Sequence, residues 1–393
     1  MKKFISMQSR NTRASQKSIV ERLKIAYLLD DTLDKPDGVQ QCVITIGEYM
    51  RSLGHEVHYI VAQTERTDLK NVHSLSKFVS LKFNGNSVRT PLPVSKKSIK
   101  SLLGKLDIDV LHVQMPFSPY FAGRVIKSCG DNVRVVGTWH TFPTGGIQQL
   151  SHKPLYWLIR RALKRVEVTI GVSQPTSEFA DNVYKTQSIT IPNAVDILRF
   201  AEAKKSANTK KRIVFLGRFD ERKGPIHLIR ALGALKRLDV LPSDVEVIMG
   251  GKGPDLLKCI ELSDRLGLSE IVTFPGFIDE NDKPSLLASA DICVFPSTGG
   301  EAFGISLVEA MASGNSIVLG GDNAGYRSIL GEKPELIFEP TDTSEFASKL
   351  LHYLNMPSTE LNIKKKWLKE SARQYDTPEV CRQLLVVYQN KLS

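Results

Sequence analysis

The chain has 393 residues, of which 41% are hydrophobic and 24% charged, and its formal net charge is +11. This composition is typical of a globular protein with two or three domains, and it excludes disordered and collagen-like chains. No run of 18 apolar residues occurs, so we expect no membrane-spanning helix. The N-terminus also has no apolar secretory segment, and we therefore expect a cytoplasmic location.

Basic residues are concentrated at the start of the chain. Residues 1–24 contain seven Lys or Arg and one acid, which leaves a net charge of +5 for the remainder. We expect residues 1–22 to form a flexible basic leader, although a targeting peptide or a tether to an anionic membrane has a similar composition. The weak charge of the remaining chain and the absence of interleaved aromatic residues argue against nucleic-acid binding.

Short apolar runs alternate with amphipathic stretches along the whole chain. In the first half they predict strands at Lys24–Leu29, Glu56–Val61, Asp109–Val113, Arg134–Thr138 and Glu167–Val172. After a polar stretch at Pro192–Lys211 they predict strands at Arg212–Gly217, Val245–Met249, Asp291–Phe295, Ser316–Leu319 and Glu335–Phe338. Near-continuous apolar strands separated by helices are typical of parallel sheets covered on both faces.

We therefore predict an α/β protein with two Rossmann-like domains that face each other across a deep cleft. The first domain is expected at residues 23–197 and the second at residues 198–375. A last helix, at about residues 376–393, is expected to pack back on the first domain. Ligands of parallel sheets bind beyond the carboxyl ends of the strands, so the functional residues should follow strands.

One such loop, Gly217–Gly224, follows a predicted strand and opens a predicted helix. Arg218 and Lys223 place two cations beside the unpaired N–H groups of that helix terminus. This arrangement suits a diphosphate, although a solvated basic turn has the same appearance.

A second candidate is the pair Glu301 and Glu309, eight residues apart in the segment Gly299–Ala312. On a continuous helix this spacing would separate the two carboxylates by about 12 Å on one face. Both could then line the same cleft, although acids near a helix start also serve as caps.

Taken together, these segments resemble family 4 retaining glycosyltransferases, which have the GT-B fold. The likeness covers about residues 23–392, and within the family the chain is similar to bacterial phosphatidyl-myo-inositol mannosyltransferases. The segments that carry it are Pro36–Gln40, Gly137–Phe142 (the H-T-F strand end), Ile191–Asp196 (the hinge), Gly217–Gly224 (the phosphate loop) and Gly299–Ala312 (the E-x7-E signature).

The resemblance implies a role for each matching residue. Arg218 and Lys223 would contact the donor diphosphate, Glu301 the hydroxyls of the donor sugar and Glu309 the ribose. His140 would lie beside the reacting sugar, and Gln40 near the acceptor headgroup. Other donor contacts would come from Gly38, Gly251, Phe303, Gly304 and Ile305.

Two positions depart from the family pattern. Asp37 stands where the family has the first glycine of a G-G loop, and Ala194 stands in place of the hinge glycine. A left-handed backbone at either position would be costly with a side chain present, although Asp tolerates it better than most residues, so the resemblance is a weaker guide to these two segments than to the C-terminal motifs.

The segment 94–106 predicts a basic amphipathic helix. Lys96, Lys97 and Lys100 surround an apolar stripe and would dock on an anionic inner leaflet. An ordinary surface helix that packs its stripe on the domain core is the alternative.

The resemblance thus implies retaining transfer of a hexose, mannose from GDP-mannose, to a phosphatidylinositol-like lipid at the cytoplasmic membrane face. The partners would be a nucleotide sugar, the lipid acceptor and an anionic membrane surface, with no cofactor and no metal. Asp107 and Asp109 imitate a metal-binding D-x-D motif but only lead into a strand. One alternative is a UDP-glucose or UDP-N-acetylglucosamine enzyme with a soluble or different lipid acceptor; another is a sugar-nucleotide epimerase. The oligomeric state stays open.

Overall fold

The structure, a computed structural model, describes residues 22–34, 37–83, 86–143, 146–205 and 209–390. The predicted leader therefore lies outside the described residues except for Arg22. In the described part of the chain, no helix is both long and apolar enough to cross a membrane.

The first half forms a seven-stranded parallel sheet with strand order β3-β2-β1-β6-β7-β8-β9, and a separate antiparallel hairpin, β4-β5. Its elements in chain order are β1 (Lys24–Leu29), α1 (Gly38–Ser52), β2 (Glu56–Val61), β3 (Val72–Ser74), β4 (Phe78–Phe83), β5 (Asn86–Pro91), α2 (Lys96–Leu106), β6 (Val110–Met115), α3 (Ala122–Ile126), β7 (Arg134–Trp139), α4 (Gly146–Leu163), β8 (Val168–Gly171), α5 (Gln174–Tyr184) and β9 (Ser188–Thr190).

The second half forms a six-stranded parallel sheet with order β12-β11-β10-β13-β14-β15. Its elements, with the C-terminal helices, are α6 (Ile197–Ala201), β10 (Lys211–Leu216), α7 (Pro225–Arg237), β11 (Val245–Gly250), α8 (Leu256–Arg265), β12 (Val272–Gly276), α9 (Lys283–Ser289), β13 (Ile292–Phe295), α10 (Ile305–Ser313), β14 (Ile317–Gly321), α11 (Ala324–Leu330), β15 (Ile337–Phe338), α12 (Thr343–Leu354), α13 (Ser358–Ala372) and α14 (Thr377–Gln389).

The predicted α/β architecture of two Rossmann-like domains is confirmed, and each predicted strand is present. Five described strands were not predicted from the sequence: β3, β9 and β12 lie at the edges of the parallel sheets, and β4 and β5 form the separate hairpin. Edge strands have one solvated side and carry weaker apolar runs. In β12, for example, buried and exposed residues alternate and Pro275 occupies the strand, so it lacks the continuous apolar pattern used to find the others.

The last helix, α14, packs on α1 in the core of the first sheet. Val380, Cys381 and Leu384 are buried there. The chain crosses between the two sheets near Val195 and again near Asp376, and these two crossings pair as an isolated parallel bridge. This packing agrees with our division at residues 197/198 and 375/376, which stays a prediction.

Candidate active site

The carboxyl edges of the two sheets meet, and this contact brings together the residues predicted from separate parts of the chain. Ser173, just after β8, donates a hydrogen bond of 2.5 Å to the carbonyl of Ala302 in the second half. Gly38, the first residue of α1, faces Ile305 at the start of α10, where an added Cβ would lie 3.1 Å from Ile305 Cδ1. Gly38 and Ile305 thus meet across the boundary.

The phosphate loop follows β10 and ends at Gly224, which caps the N-terminus of α7 with a left-handed φ of 64°. A Cβ there would lie 2.2 Å from the carbonyl oxygen of Pro296, so the close turn requires glycine. Arg218 is more than half exposed, and its Nε lies 3.4 Å from Asp220 Oδ2. Arg218 is therefore accessible beside a helix terminus whose N–H groups favour anions.

Glu301 is buried and held by three groups that contact the same carboxylate oxygen, Oε1. Lys223 Nζ lies 2.8 Å away, Arg222 Nη1 2.6 Å and Ser297 Oγ 2.8 Å. Burial alone would raise the pKa of Glu301, but the charges of Lys223 and Arg222 outweigh it and hold the pKa below its usual value. Glu301 is thus an ionised carboxylate fixed in place by Arg222 and Lys223.

The helix that carries Glu309 begins only at Ile305, so Glu301 lies in the preceding turn. The predicted distance for a continuous helix therefore does not apply. Gly304 has a φ of 136°, and a Cβ there would lie 2.8 Å from the ring of Tyr326. Phe303 is buried against Tyr375, with ring centroids 5.2 Å apart. This packing fixes the turn that contains the predicted donor contacts Phe303, Gly304 and Ile305.

Glu309 is also buried, and Lys283 lies 3.2 Å from its Oε1 and 2.8 Å from Glu280. Its other oxygen, Oε2, is buried without a hydrogen-bond partner among the described residues. Burial outweighs the nearby Lys283, so the pKa of Glu309 is raised. A buried acceptor without a partner is costly, and Oε2 is suited to accept a ligand hydroxyl.

In the first half, His140 directly follows β7 and is half-buried. Its Nε2 lies 2.6 Å from Gln114 Oε1, while its Nδ1 has no partner in the described part of the chain. Burial lowers the pKa of His140 to about 4, and the nearby Asn193 opposes this shift only in part. His140 is therefore neutral near pH 7, in a wall made of amide and imidazole groups.

Most of the chain matches known families of proteins. Residues 36–199 match the family described as Glycosyltransferase Family 4, and residues 196–374 match Glycosyl transferases group 1. The two matches together span residues 36–374, and the chain belongs to the glycosyltransferases that these two models describe. It is 29% identical, over 93% of its length and 94% of the relative's, to a phosphatidyl-myo-inositol mannosyltransferase of Mycolicibacterium smegmatis.

Two further comparisons concern donors and fold. A GDP-mannose-dependent alpha-(1-6)-phosphatidylinositol monomannoside mannosyltransferase of the same organism is 29% identical over 64% of this chain and 69% of its own. The crystal structure of Anabaena Alr3699/HepE in complex with UDP matches with a TM-score of 0.73 at 18% identity, and covers 93% of this chain and 99% of that one. The latter likeness supports the GT-B fold.

The two departures from the family pattern are accommodated in this glycosyltransferase without backbone strain. Asp37 has an extended backbone, with φ −76° and ψ 153°, and it precedes α1 as its cap residue. Ala194 is buried and does not adopt a left-handed conformation. Neither position therefore adopts the left-handed backbone that a side chain would strain. Gln40, two residues after Gly38, is buried in α1.

Gly251 has a backbone role in addition to any donor contact. Its φ is 140°, and a Cβ there would lie 1.8 Å from the carbonyl oxygen of Gly217. The turn after β11 therefore packs directly on the first residue of the phosphate loop. This contact explains the glycine without invoking the nucleotide.

The helix α2 presents its three predicted membrane contacts, Lys96, Lys97 and Lys100, to solvent. Its apolar stripe packs on the core of the first domain, where Ile99 is fully buried. The helix thus packs as an ordinary surface helix while its lysines stay available. Asp107 and Asp109 both bind Lys24, and no group of three His, Cys, Asp or Glu suited to a metal occurs within the described ranges.

Sequence reasoning missed four side chains that hold the predicted residues. Arg222 and Ser297 fix Glu301, Lys283 pairs with Glu309, and Gln114 orients His140. Arg222 adjoins Lys223, and its position in the phosphate loop was a usable signal. Lys283 and Gln114 are distant in sequence from their partners, so only the fold reveals them.

Proposed function

We propose that this glycosyltransferase moves mannose from GDP-mannose, with retention of configuration, to a phosphatidylinositol-like lipid at the cytoplasmic face of a membrane. The observation that carries the proposal is the buried, ionised Glu301, fixed by Arg222, Lys223 and Ser297 next to the phosphate loop. A fixed carboxylate beside cations suits a sugar diphosphate, because it accepts sugar hydroxyls while the cations attract phosphate.

Catalysis in this proposal is electrostatic. Arg218, Lys223 and the N-terminus of α7 stabilise the negative charge that develops on the diphosphate as the glycosidic bond breaks. Among the described residues, Arg222, Lys223 and Ser297 contact Glu301 through its Oε1. Oε2 of this carboxylate then accepts a hydroxyl of the donor sugar and orients it.

Retention follows if the acceptor hydroxyl attacks from the side on which the diphosphate departs, with its proton passing to the departing phosphate oxygen. The neighbours of His140 support this route, since Gln114 and Asn193 are amides and neither supplies a carboxylate nucleophile. Neutral His140 donates or accepts a hydrogen bond to the reacting sugar. Closure of the two domains excludes the water that would otherwise hydrolyse the donor.

The donor and acceptor are assigned from relatives. The full-length similarity to a phosphatidyl-myo-inositol mannosyltransferase supports a phosphatidylinositol-like acceptor, and the partial similarity to a GDP-mannose-dependent enzyme supports that donor. Exposed lysines on α2 supply positive charge for an anionic membrane surface.

The test is a thermal shift of the purified chain with GDP-mannose, UDP-glucose or UDP-N-acetylglucosamine, followed by a transfer assay on phosphatidylinositol vesicles. A ligand at 100 times its Kd stabilises a protein by about 2.7 kcal/mol, which is readily measured. We expect a shift with GDP-mannose alone and a mannosylated lipid product. A shift only with a UDP-sugar overturns the donor, and donor consumption without a glycosylated product favours an epimerase.

A further inference from the structure

The helices on the two faces of the first sheet differ sharply in charge. On one face, α2, α3 and α4 pack side by side over a core that they share with α5, which has two acids, Glu178 and Asp181, and no Lys or Arg. In sequence, α2 has four lysines, α3 one arginine and α4 one lysine and two arginines, and none of the three helices has an acid. On the other face, α1 and α14 each carry one acid and one arginine.

Within the charged face, α4 also exposes large apolar side chains. Trp157 is 62% exposed and Leu158 is 59% exposed, the former more than either of the other two tryptophans. On the helix, Trp157 lies one turn from Lys153 and one turn from Arg161, and Lys164 follows the last helical residue. The guanidinium of Arg160 lies 4.2 Å from the centre of the Trp157 ring. The solvent-facing side of α4 is therefore a tryptophan surrounded by cations.

A groove of about 880 Å³ adjoins this side of α4. It lies between the end of α4, the start of β8 and the loop after α5. Its ionisable lining consists of four cations and one acid, with tyrosines beside them: Tyr156, Arg160, Arg161, Lys164, Glu167, Tyr184 and Lys185. The groove thus extends the positive charge around Trp157.

We propose that the exposed side of α4 docks on an anionic lipid bilayer, with Trp157 at the interface and the surrounding cations on lipid phosphates. Tryptophan combines a large apolar ring with one polar N–H, which suits the boundary between headgroups and acyl chains. Each Lys or Arg near an anionic membrane adds attraction, and a helix with such a side lies in the membrane plane.

This assignment specifies which surface of the protein binds the membrane. It rests on one part of the proposed function, the location of the reaction at a membrane. The helix α4 is then a second docking element besides α2, and it is apolar as well as basic. Because α4 begins near the His140 end of the sheet and ends at the start of β8, docking through its second half places the membrane contact toward the amino edge of the sheet, away from the cleft.

The experiment is cosedimentation of the full chain with vesicles of equal parts phosphatidylglycerol and phosphatidylcholine, without donor or inositol lipid. We expect Trp157→Ser to lower the partition coefficient by roughly tenfold, because the lost ring area is large. The pair Arg161→Ser and Lys164→Ser should lower it by about thirtyfold, and pure phosphatidylcholine should not bind.

The matched control lies on α8. Leu257 is 72% exposed and adjoins the exposed Lys258, but α8 balances its charges with Glu261 and Asp264. Leu257→Ser should leave vesicle binding unchanged. Quenching by brominated lipid locates the contact, because Trp139 is fully buried and Trp367 partly buried: quenching should occur in the wild type and disappear in Trp157→Phe.

Vesicle binding by Trp157→Ser at the wild-type level overturns the assignment, as does equal quenching in Trp157→Phe and wild type. Light scattering that shows a wild-type dimer and a monomeric Trp157→Ser also overturns it, because the surface would then bind a second copy of the chain. These results leave the transfer reaction untouched. Conversely, binding that depends on Trp157 together with failed transfer from every sugar nucleotide would sink the proposed reaction and keep the docking surface.

Discussion

The two walls of the candidate active site differ in charge. The wall from the second domain is built from ion pairs, with Glu301 held by Arg222 and Lys223 and Glu309 held by Lys283. The wall from the first domain around His140 is neutral, with hydrogen bonds between imidazole and amide groups. Under the proposed function this difference corresponds to a division of labour: the fixed charges would stabilise a charged leaving group, and the neutral groups would bind sugar hydroxyls without competing for phosphate.

The largest expected effect tests the charged wall. Lys223→Ala or Arg218→Ala should lower kcat by at least about a hundredfold, as for removal of one preorganised donor at a developing negative charge. Steady-state transfer assays measure it. Lys258→Ala, an exposed and paired lysine on the same domain, serves as the control. Near wild-type turnover in both active-site variants would contradict the proposal that Arg218 and Lys223 contact the donor diphosphate.

Neutralising the fixed carboxylate should have the next largest effect. Glu301→Gln keeps the shape but leaves Arg222 and Lys223 without their buried partner. Loss of hydrogen bonds to a charged group costs about 2 kcal/mol, so kcat/KM for the donor should fall roughly thirtyfold. The exposed Glu270 provides the control Glu270→Gln. Unchanged kinetics would mean that Glu301 only stabilises the turn.

The neutral wall should respond more weakly. His140→Ala removes one uncharged hydrogen-bonding group, so kcat should fall about fivefold. The thermal shift induced by the donor nucleotide should be unchanged, because the proposed diphosphate and ribose contacts, Arg218, Lys223 and Glu309, lie on the opposite wall. A lost nucleotide shift in this variant would contradict the separation of the two walls.

The smallest effect concerns stability and pH. The pKa of His140 is lowered from 6.5 to about 4 by burial, so between these values the unfolded chain binds a proton that the folded chain does not. The free energy of unfolding should therefore decrease as the pH falls from 6.5 towards 4. Urea unfolding of His140→Gln should show a shallower decrease than wild type. Parallel curves of unfolding free energy against pH for the two proteins would mean that folding does not lower the pKa of His140.

The fold could be predicted from sequence because central parallel strands are continuously apolar and end at functional loops, as at Leu216 before the phosphate loop. The ionic partner of Glu309 could not be predicted, since Lys283 on α9 reaches it only through the packing of α9 on α10. The E-x7-E spacing located both glutamates but not their geometry. Whether a helix begins at Glu301 or at Ile305 depends on the glycine conformation at Gly304 and its packing on Tyr326.

The paired crossings between the domains have a mechanical consequence. The N–H of Val195 donates to the carbonyl of Tyr375 at 2.9 Å, and the N–H of Thr377 donates to the carbonyl of Val195 at 3.1 Å. Two connections bonded side by side permit bending about one axis but resist twisting, since a twist would stretch both hydrogen bonds. In the proposed reaction, opening and closing would then follow a single path, and a donor sugar bound by the second domain would return to the same position opposite His140 in each cycle.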